Sequence, residues 1–311
     1  MGNSTVKAVI DVGTNSVKFL AAAWRGGSLS VLADEPKITR LGEGQGSRGA
    51  FGAAAMERTA SAVEGFMRRA LAYGTEEIVA VGTQAMRTAS NAGEFKRMVK
   101  ERCGLNIRVI SGDEEAALSF RAASRTSREA VVFDVGGGSS EAAFGLGGSL
   151  SWRRSIPIGA LVLYERFFAS SPGPYGTDIL DACRAFAASE IRAYMAGVSA
   201  PSEGCECAGV GGTFVTLASV SASVPRVREA DAPLTRGEVE RQITLYASMD
   251  CESRKKIPGL EPERADIILP GACIVAVLMD LFCLDRLVVS ARGLRHGVMD
   301  SLFERIGCFS P

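Results

Sequence analysis

The chain has 311 residues and is 47% hydrophobic, which is enough to form the cores of two domains of ordinary size. Its 35 Lys and Arg residues balance its 35 Asp and Glu residues, so its net charge favours neither nucleic acid nor a membrane surface as a partner. Any anionic ligand must therefore be bound by local groups.

The first predicted element is a β-hairpin with a polar loop. A β-branched run at 6–10 is followed by the loop 11–16, and apolar residues resume at Val17. This pattern predicts two strands joined by a sharp turn. Thr14, Asn15 and Ser16 place three polar side chains in that turn.

Helical and strand-like segments alternate after the hairpin. Helices are predicted at 53–72 and 91–103, and strands at 77–81 and 106–110. Such alternation is typical of an α/β fold.

An acidic segment, SGDEE at 111–115, lies between the strand at 106–110 and a helical stretch from Ala116. A serine N-cap and carboxylates in a first turn both stabilise a helix. A helix start is therefore one interpretation of this segment, and a functional role for its carboxylates is the other.

A second hairpin repeats the first at a distance of 123 residues. It has a strand-like run at 130–133, a loop at 134–140 and a second run at 142–144. The two loops align residue for residue, with Asp11 over Asp134, Gly13 over Gly136 and Ser16 over Ser139. This distance is too long for a solenoid repeat and indicates duplicated domains. We predict domains at 1–126 and 127–311, with a final helix that can pack back on the first.

The remaining elements continue the α/β pattern. Helices are predicted at 160–168, 178–195 and 294–304, and strands at 207–210 and 286–289. The most apolar run, 267–279, is too short to span a bilayer and is predicted to be a buried helix. With no apolar stretch of a signal peptide at the N-terminus, we expect a cytoplasmic protein with reduced cysteines and no membrane partner.

Three glycine loops, each after a strand-like run, suit phosphate. A phosphate needs several converging donors, which backbone N–H groups in a glycine-rich turn supply without side-chain bulk. A tight turn alone is the alternative for any single loop, but three such loops favour phosphate binding. The predicted phosphate-binding residues are Thr14, Asn15, Ser16, Gly136, Gly137, Gly138, Ser139, Gly211, Gly212 and Thr213.

Carboxylates lie beside two of these loops, at Asp11, Asp134 and Glu141. They would repel a phosphate unless a divalent cation lay between them, so we predict Mg²⁺ or a similar cation such as Mn²⁺ at these residues. Alternatively, Asp11 and Asp134 cap their turns through side-chain hydrogen bonds.

Six segments resemble, in the same order, the exopolyphosphatase and guanosine pentaphosphate phosphohydrolase family of the acetate kinase, actin and sugar kinase superfold. The resemblance runs from Val6 to Met299, and the six segments read IDVGTNS, GTQAMRTASNAGEF, ISGDEE, FDVGGGSSE, GVGGT and SARGLRHGV. The resemblance is to a short, two-domain form. It implies an α/β fold with duplicated actin-like domains around an interdomain cleft, and it makes a homodimer plausible.

The resemblance also implies roles for individual residues. Glu115 corresponds to the base that activates water, and Arg87 to the arginine of the T-x-x-x-R segment. Asp134 and Glu141 correspond to acids associated with Mg²⁺, and Asp11 to the first phosphate loop. The chain departs from the family at Ala117, where an arginine is usual.

The function expected from these residues is hydrolysis of a terminal phosphoanhydride bond, with inorganic polyphosphate or guanosine pentaphosphate as substrate. Two alternatives stay open. A kinase of the same superfold would also bind phosphates, although the Glu115 segment favours hydrolysis. A sensor could bind nucleotide or polyphosphate without turnover.

Overall fold

The structure consists of two units, each built around one β-sheet. The computed structural model describes residues 5–25, 28–124, 128–198, 200–225 and 232–304. They form two units, one made of the described residues within 1–118 and 294–311, and the other of those within 119–293. The predicted boundary between residues 126 and 127 lies outside the described residues.

The first unit contains a five-stranded sheet with the order β3-β2-β1-β4-β5. β1 is antiparallel to β2 and parallel to β4. The elements are β1 (Val6–Val12), β2 (Ser16–Arg25), β3 (Ser28–Ile38), α1 (Gln45–Arg48), α2 (Ala53–Ala72), β4 (Glu77–Gly82), α3 (Gln84–Thr88), α4 (Ala92–Cys103), β5 (Ile107–Val109), α5 (Gly112–Ala123), which continues into the second unit, and the C-terminal α12 (Leu294–Glu304).

The second unit contains a six-stranded sheet with the order β8-β7-β6-β9-β11-β10. β6 is antiparallel to β7 and parallel to β9. The elements are β6 (Glu129–Val135), β7 (Ser140–Leu146), β8 (Ser149–Ile156), α6 (Ala160–Leu163), a π-helical turn (Tyr164–Phe168), α7 (Thr177–Tyr194), β9 (Glu206–Val210), α8 (Gly211–Ala222), β10 (Ala232–Thr235), α9 (Arg236–Ala247), α10 (Cys251–Arg254), a 3-10 turn (Pro262–Arg264), α11 (Ile268–Leu281) and β11 (Arg286–Val289).

The two sheets share one topology. In each, the first strand pairs antiparallel with the second, the second pairs antiparallel with the third, and the first also pairs parallel with a later strand. The second sheet differs by one additional antiparallel edge strand, β10. The repetition confirms the predicted α/β fold of two duplicated domains.

Helices cover both faces of β1, which explains why every residue of this strand is buried. Ile10 belongs to a core with residues of α2 and α4, whereas the preceding Val9 packs in a cluster with Leu302 and Phe303 of α12. Successive side chains of a strand point to opposite faces, so a strand buried on both faces loses polar alternation. The C-terminal helix α12 therefore belongs to the core of the first unit.

The apolar run predicted as a buried helix is α11, and its residues from Ile268 to Met279 are buried. Pro270 is the third residue of this helix. It is tolerated there because the N–H groups of a first helical turn have no partner within the helix.

Across the described part of the chain, no helix is both long and apolar enough to cross a membrane. Every described cysteine is a free thiol.

Asp34 on the edge strand β3 forms ion pairs with the first turn of α12. Arg295 Nε and Nη2 donate to its two carboxylate oxygens at 2.6 and 2.9 Å, and His296 Nε2 lies 3.4 Å from Oδ2. Burial opposes ionisation of Asp34, but the hydrogen bonds from His296 and Arg295 outweigh it and hold the pKa of this carboxyl well below its usual value. These contacts fasten the start of α12 to the sheet.

We expect Asp34→Asn to lower the free energy of unfolding at neutral pH by roughly 1 to 3 kcal/mol, because the charge partner of buried Arg295 is removed. A carboxyl with a depressed folded-state pKa stabilises the fold above its unfolded-state pKa, and this stabilisation is lost as the pH falls through the folded-state pKa. The difference between wild type and variant should therefore shrink below about pH 4. Urea denaturation of both proteins at each pH measures this difference in the free energy of unfolding. A difference that stays constant down to about pH 2 would contradict the stabilising role given to the ionised Asp34.

Candidate active site

The first two glycine loops are closed by the same hydrogen bond. The N–H of Gly13 donates to the carbonyl of Ser16 at 3.0 Å, and the N–H of Gly136 donates to the carbonyl of Ser139 at 3.0 Å. These are aligned positions of the sequence repeat. The duplication predicted from sequence therefore extends to the geometry of the turns.

The first loop is braced by the segment after β3. The N–H groups of Thr39 and Arg40 donate to the carbonyl of Asn15 at 3.0 and 2.9 Å. The side chains of Asn15 and Thr39 are buried, and among the described residues the Asn15 amide and the Thr39 hydroxyl have no hydrogen-bond partner. Buried polar groups are nearly always paired, so these side chains suit a polar ligand at this loop. Thr39 was not predicted from the sequence.

The second loop is held by the start of α6. The N–H groups of Ala160 and Leu161 donate to the carbonyls of Gly136 and Gly137, each at 2.9 Å. At Gly159 a Cβ atom would overlap the backbone of Gly137, so only glycine permits this approach. The sequence analysis missed Gly159, although the run of small and apolar residues after β8 could have suggested a close contact.

The third loop lies at the N-terminus of α8, which starts at Gly211. Gly211 has φ of +88°, and a Cβ atom there would overlap Oδ1 of Asp134. The buried guanidinium of Arg264 lies against Gly212, and its Nε donates to Glu261 at 2.6 Å. A helix N-terminus beside an arginine is a favourable place for a phosphate. Arg264 was missed because it is distant in sequence from the loop.

Glu115 lies in the first turn of α5 and is largely buried. Arg87 Nη1 donates to Glu115 Oε2 at 2.8 Å and to the carbonyl of Ile110 at 3.1 Å. Gln84 accepts from Arg87 Nε and Nη2 at 3.1 and 2.8 Å. The guanidinium is thus fixed on three sides, and it fixes the orientation of the Glu115 carboxylate in turn. Gln84 was not predicted.

Asp134 and Glu141 face each other across the second hairpin. They are directly opposite in the β6–β7 register, so their side chains lie on the same face of the sheet with Cβ atoms about 5 Å apart. Both are buried. Ser119 Oγ donates to Asp134 Oδ2 at 3.0 Å, and Ser155 Oγ donates to Glu141 Oε1 at 2.6 Å.

The equivalent pair in the first unit is Asp11 and Lys18, which are directly opposite in the β1–β2 register. Lys18 Nζ lies 3.3 Å from Asp11 Oδ2. The first hairpin therefore neutralises its aspartate with a lysine, whereas the second places Glu141 at the aligned position. Within the described residues, no group of three or more His, Cys, Asp and Glu side chains is arranged to hold a metal ion.

Two curated relatives cover almost all of the chain. A Vibrio vulnificus protein named guanosine-5'-triphosphate,3'-diphosphate pyrophosphatase is 27% identical over 318 aligned positions, which cover 98% of this chain and 61% of the relative. The chain thus spans less than two thirds of that relative. Exopolyphosphatase 1 of Mycobacterium leprae is 26% identical over 298 positions, covering 94% of this chain and 87% of the relative.

Among solved structures, the crystal structure of the Aquifex aeolicus member of the Ppx/GppA protein family is 29% identical, with a TM-score of 0.80. The alignment covers 98% of this chain and 99% of that one. The family model of the Ppx/GppA phosphatases matches residues 20–306. The chain therefore belongs to the Ppx/GppA phosphatase family.

Proposed function

We propose that this protein hydrolyses the terminal phosphoanhydride bond of inorganic polyphosphate, guanosine pentaphosphate or both, and releases orthophosphate. The observation that carries the proposal is the buried Glu115 carboxylate, held by Arg87 at 2.8 Å. A general base must be fixed in place to remove a proton from water as it attacks. Family membership and the names of the two relatives support the same reaction.

In the proposed reaction, Glu115 accepts a proton from a water molecule whose oxygen forms a bond to the terminal phosphorus. The bond from that phosphorus to the bridging oxygen breaks, and the bridging oxygen leaves with the electron pair. Hydrolysis of this kind requires positioning and charge stabilisation rather than a covalent bond to the protein. Arg87 orients the base, and it is also proposed to hold the terminal phosphate.

The glycine loops are proposed to bind phosphate groups through backbone N–H groups and the side chains of Thr14, Asn15, Ser16 and Ser139. The unpaired buried amide of Asn15 supports this role for the first loop. At the third loop, the N-terminus of α8 and Arg264 would bind a phosphate through complementary charge.

Mg²⁺, or Mn²⁺ in its place, is proposed at Asp134 and Glu141. Two carboxylates match the way in which proteins usually hold Mg²⁺, which takes one or two carboxylates together with water and substrate phosphates. The bound cation would neutralise charge on the phosphate oxygens. Asp11 is paired with Lys18, and its predicted role in the metal site stays a prediction. The cytoplasmic location and the homodimer also stay predictions.

A substrate panel tests the proposed reaction. We expect the protein with Mg²⁺ to release orthophosphate from short polyphosphate, long polyphosphate or guanosine pentaphosphate, with a reaction that lacks protein as the blank. GTP is the matched control for guanosine pentaphosphate, since it carries the same triphosphate without the 3'-diphosphate. If none of the polyphosphates or nucleotides yields phosphate above the blank, the proposed function is wrong.

A further inference from the structure

The hydroxyl of Ser119 has an unusual partner for a helical serine. Ser119 lies on α5, is 1% exposed, and its Oγ donates to Asp134 Oδ2 on β6 at 3.0 Å. A buried serine inside a helix commonly donates to the carbonyl four residues earlier, as Ser219 does to Val215 at 2.7 Å on α8. At Ser119 the donor is directed to a carboxylate of the sheet instead.

The hydroxyl of Ser155 makes the corresponding contact with the second carboxylate. Ser155 is directly opposite Glu141 in the β7–β8 register, and its Oγ donates to Glu141 Oε1 at 2.6 Å. Asp134, Glu141 and Ser155 therefore lie in a row across three strands, on one face of the sheet. Each acid of the facing pair has its own hydroxyl donor.

A hydroxyl donor and a lysine act differently on a carboxylate. Lys18 cancels the charge of Asp11 in the first hairpin, whereas a serine hydroxyl is neutral and only orients the carboxylate and stabilises its ionised form. The hydroxyl contacts of the second hairpin thus restrict the rotation of both acids. Gly211 adds to this restriction, because its backbone lies against Asp134 Oδ1.

We propose that Ser119 and Ser155 are positioning residues that hold Asp134 and Glu141 in one arrangement and thereby make the site select Mg²⁺ over Ca²⁺. This inference rests on the proposed cation site. Mg²⁺ requires short, nearly ideal octahedral coordination, whereas Ca²⁺ accepts longer and more variable geometry. Carboxylates fixed by hydrogen bonds suit the first ion, and carboxylates free to rotate adapt to the second.

Calorimetric titration of the full chain with Mg²⁺ and with Ca²⁺, in the absence of substrate, tests this proposal. We expect Ser119→Ala and Ser155→Ala each to weaken Mg²⁺ binding by about 10- to 100-fold, the usual effect of removing a group that orients a metal ligand. Ca²⁺ binding should weaken less, so that the preference for Mg²⁺ falls. Ser219→Ala removes a buried helical hydroxyl elsewhere and should leave both affinities unchanged.

The variants also distinguish positioning from general stability. Alanine favours a helix more than serine does, so Ser119→Ala is expected to fold, and Ser155→Ala on a different element provides a second test. Unchanged Mg²⁺ affinity in both variants would overturn the inference, and so would an equal loss for Mg²⁺ and Ca²⁺. If Asp134→Asn leaves Mg²⁺ binding intact, the proposed cation site itself has failed, which is a separate result.

Discussion

Glu115→Gln is expected to reduce the rate of phosphate release by about 10²- to 10⁴-fold, the usual contribution of a general base. The amide oxygen of glutamine can still accept a hydrogen bond from Arg87, so the side chain should keep its place while losing its basicity. Substrate affinity should change little, because the base acts on water rather than on the phosphate. Steady-state release of orthophosphate, with substrate binding measured separately, tests both statements.

Glu114→Gln is the matched control. Glu114 lies in the same first turn of α5, but it is partly exposed and pairs with Arg108 at 2.6 Å. Adjacent residues of a helix project about 100° apart, so the two glutamates share the helix dipole but not the contacts of Glu115. Loss of dipole stabilisation alone would cost about 0.3 to 1 kcal/mol of stability in either variant. Equally small losses of turnover in both variants would make Glu115 a structural residue and contradict its role as the base.

Removal of divalent cations is expected to abolish phosphate release, and excess Mg²⁺ should restore it. Facing carboxylates beside a polyanion repel it unless a cation neutralises them. Asp134→Asn and Glu141→Gln should each lower the rate by roughly 10²-fold or more, since charge stabilisation by a bound cation contributes several kcal/mol and each 1.4 kcal/mol is tenfold in rate. Assays at a series of Mg²⁺ concentrations, with a chelator added at the lowest, measure how the rate of phosphate release depends on the cation.

Glu141→Lys is the informative companion variant. It copies the first hairpin, in which Asp11 faces Lys18. The lysine should satisfy Asp134 by an ion pair, so that the fold is kept while cation binding and turnover are lost. Full turnover of the wild type in excess chelator, or a Glu141→Lys variant as active as the wild type, would contradict the role given to this pair.

Local patterns in the sequence determined much of the fold and part of the site. The apolar runs, the glycine turns and the offset between Asp11 and Asp134 predicted two α/β units of the same design, and both sheets confirm it. Strand alternation and turn chemistry depend on neighbouring residues, so a single sequence contains them. The exchange of Lys18 for Glu141 at aligned positions was also present in the repeat, although the sequence analysis did not use it.

The tertiary structure alone decided which distant side chains meet. Arg264 reaches Gly212, and Ser119 reaches Asp134, through contacts that join separate elements. The C-terminal α12 belongs to the first unit because Leu302 and Phe303 are buried against its sheet. Periodicity reports which face of an element is apolar but not which element will cover it, because burial depends on residues far away in the chain. For that reason the glycine loops could be predicted from sequence. The serine hydroxyls and the guanidinium that contact neighbouring elements could not.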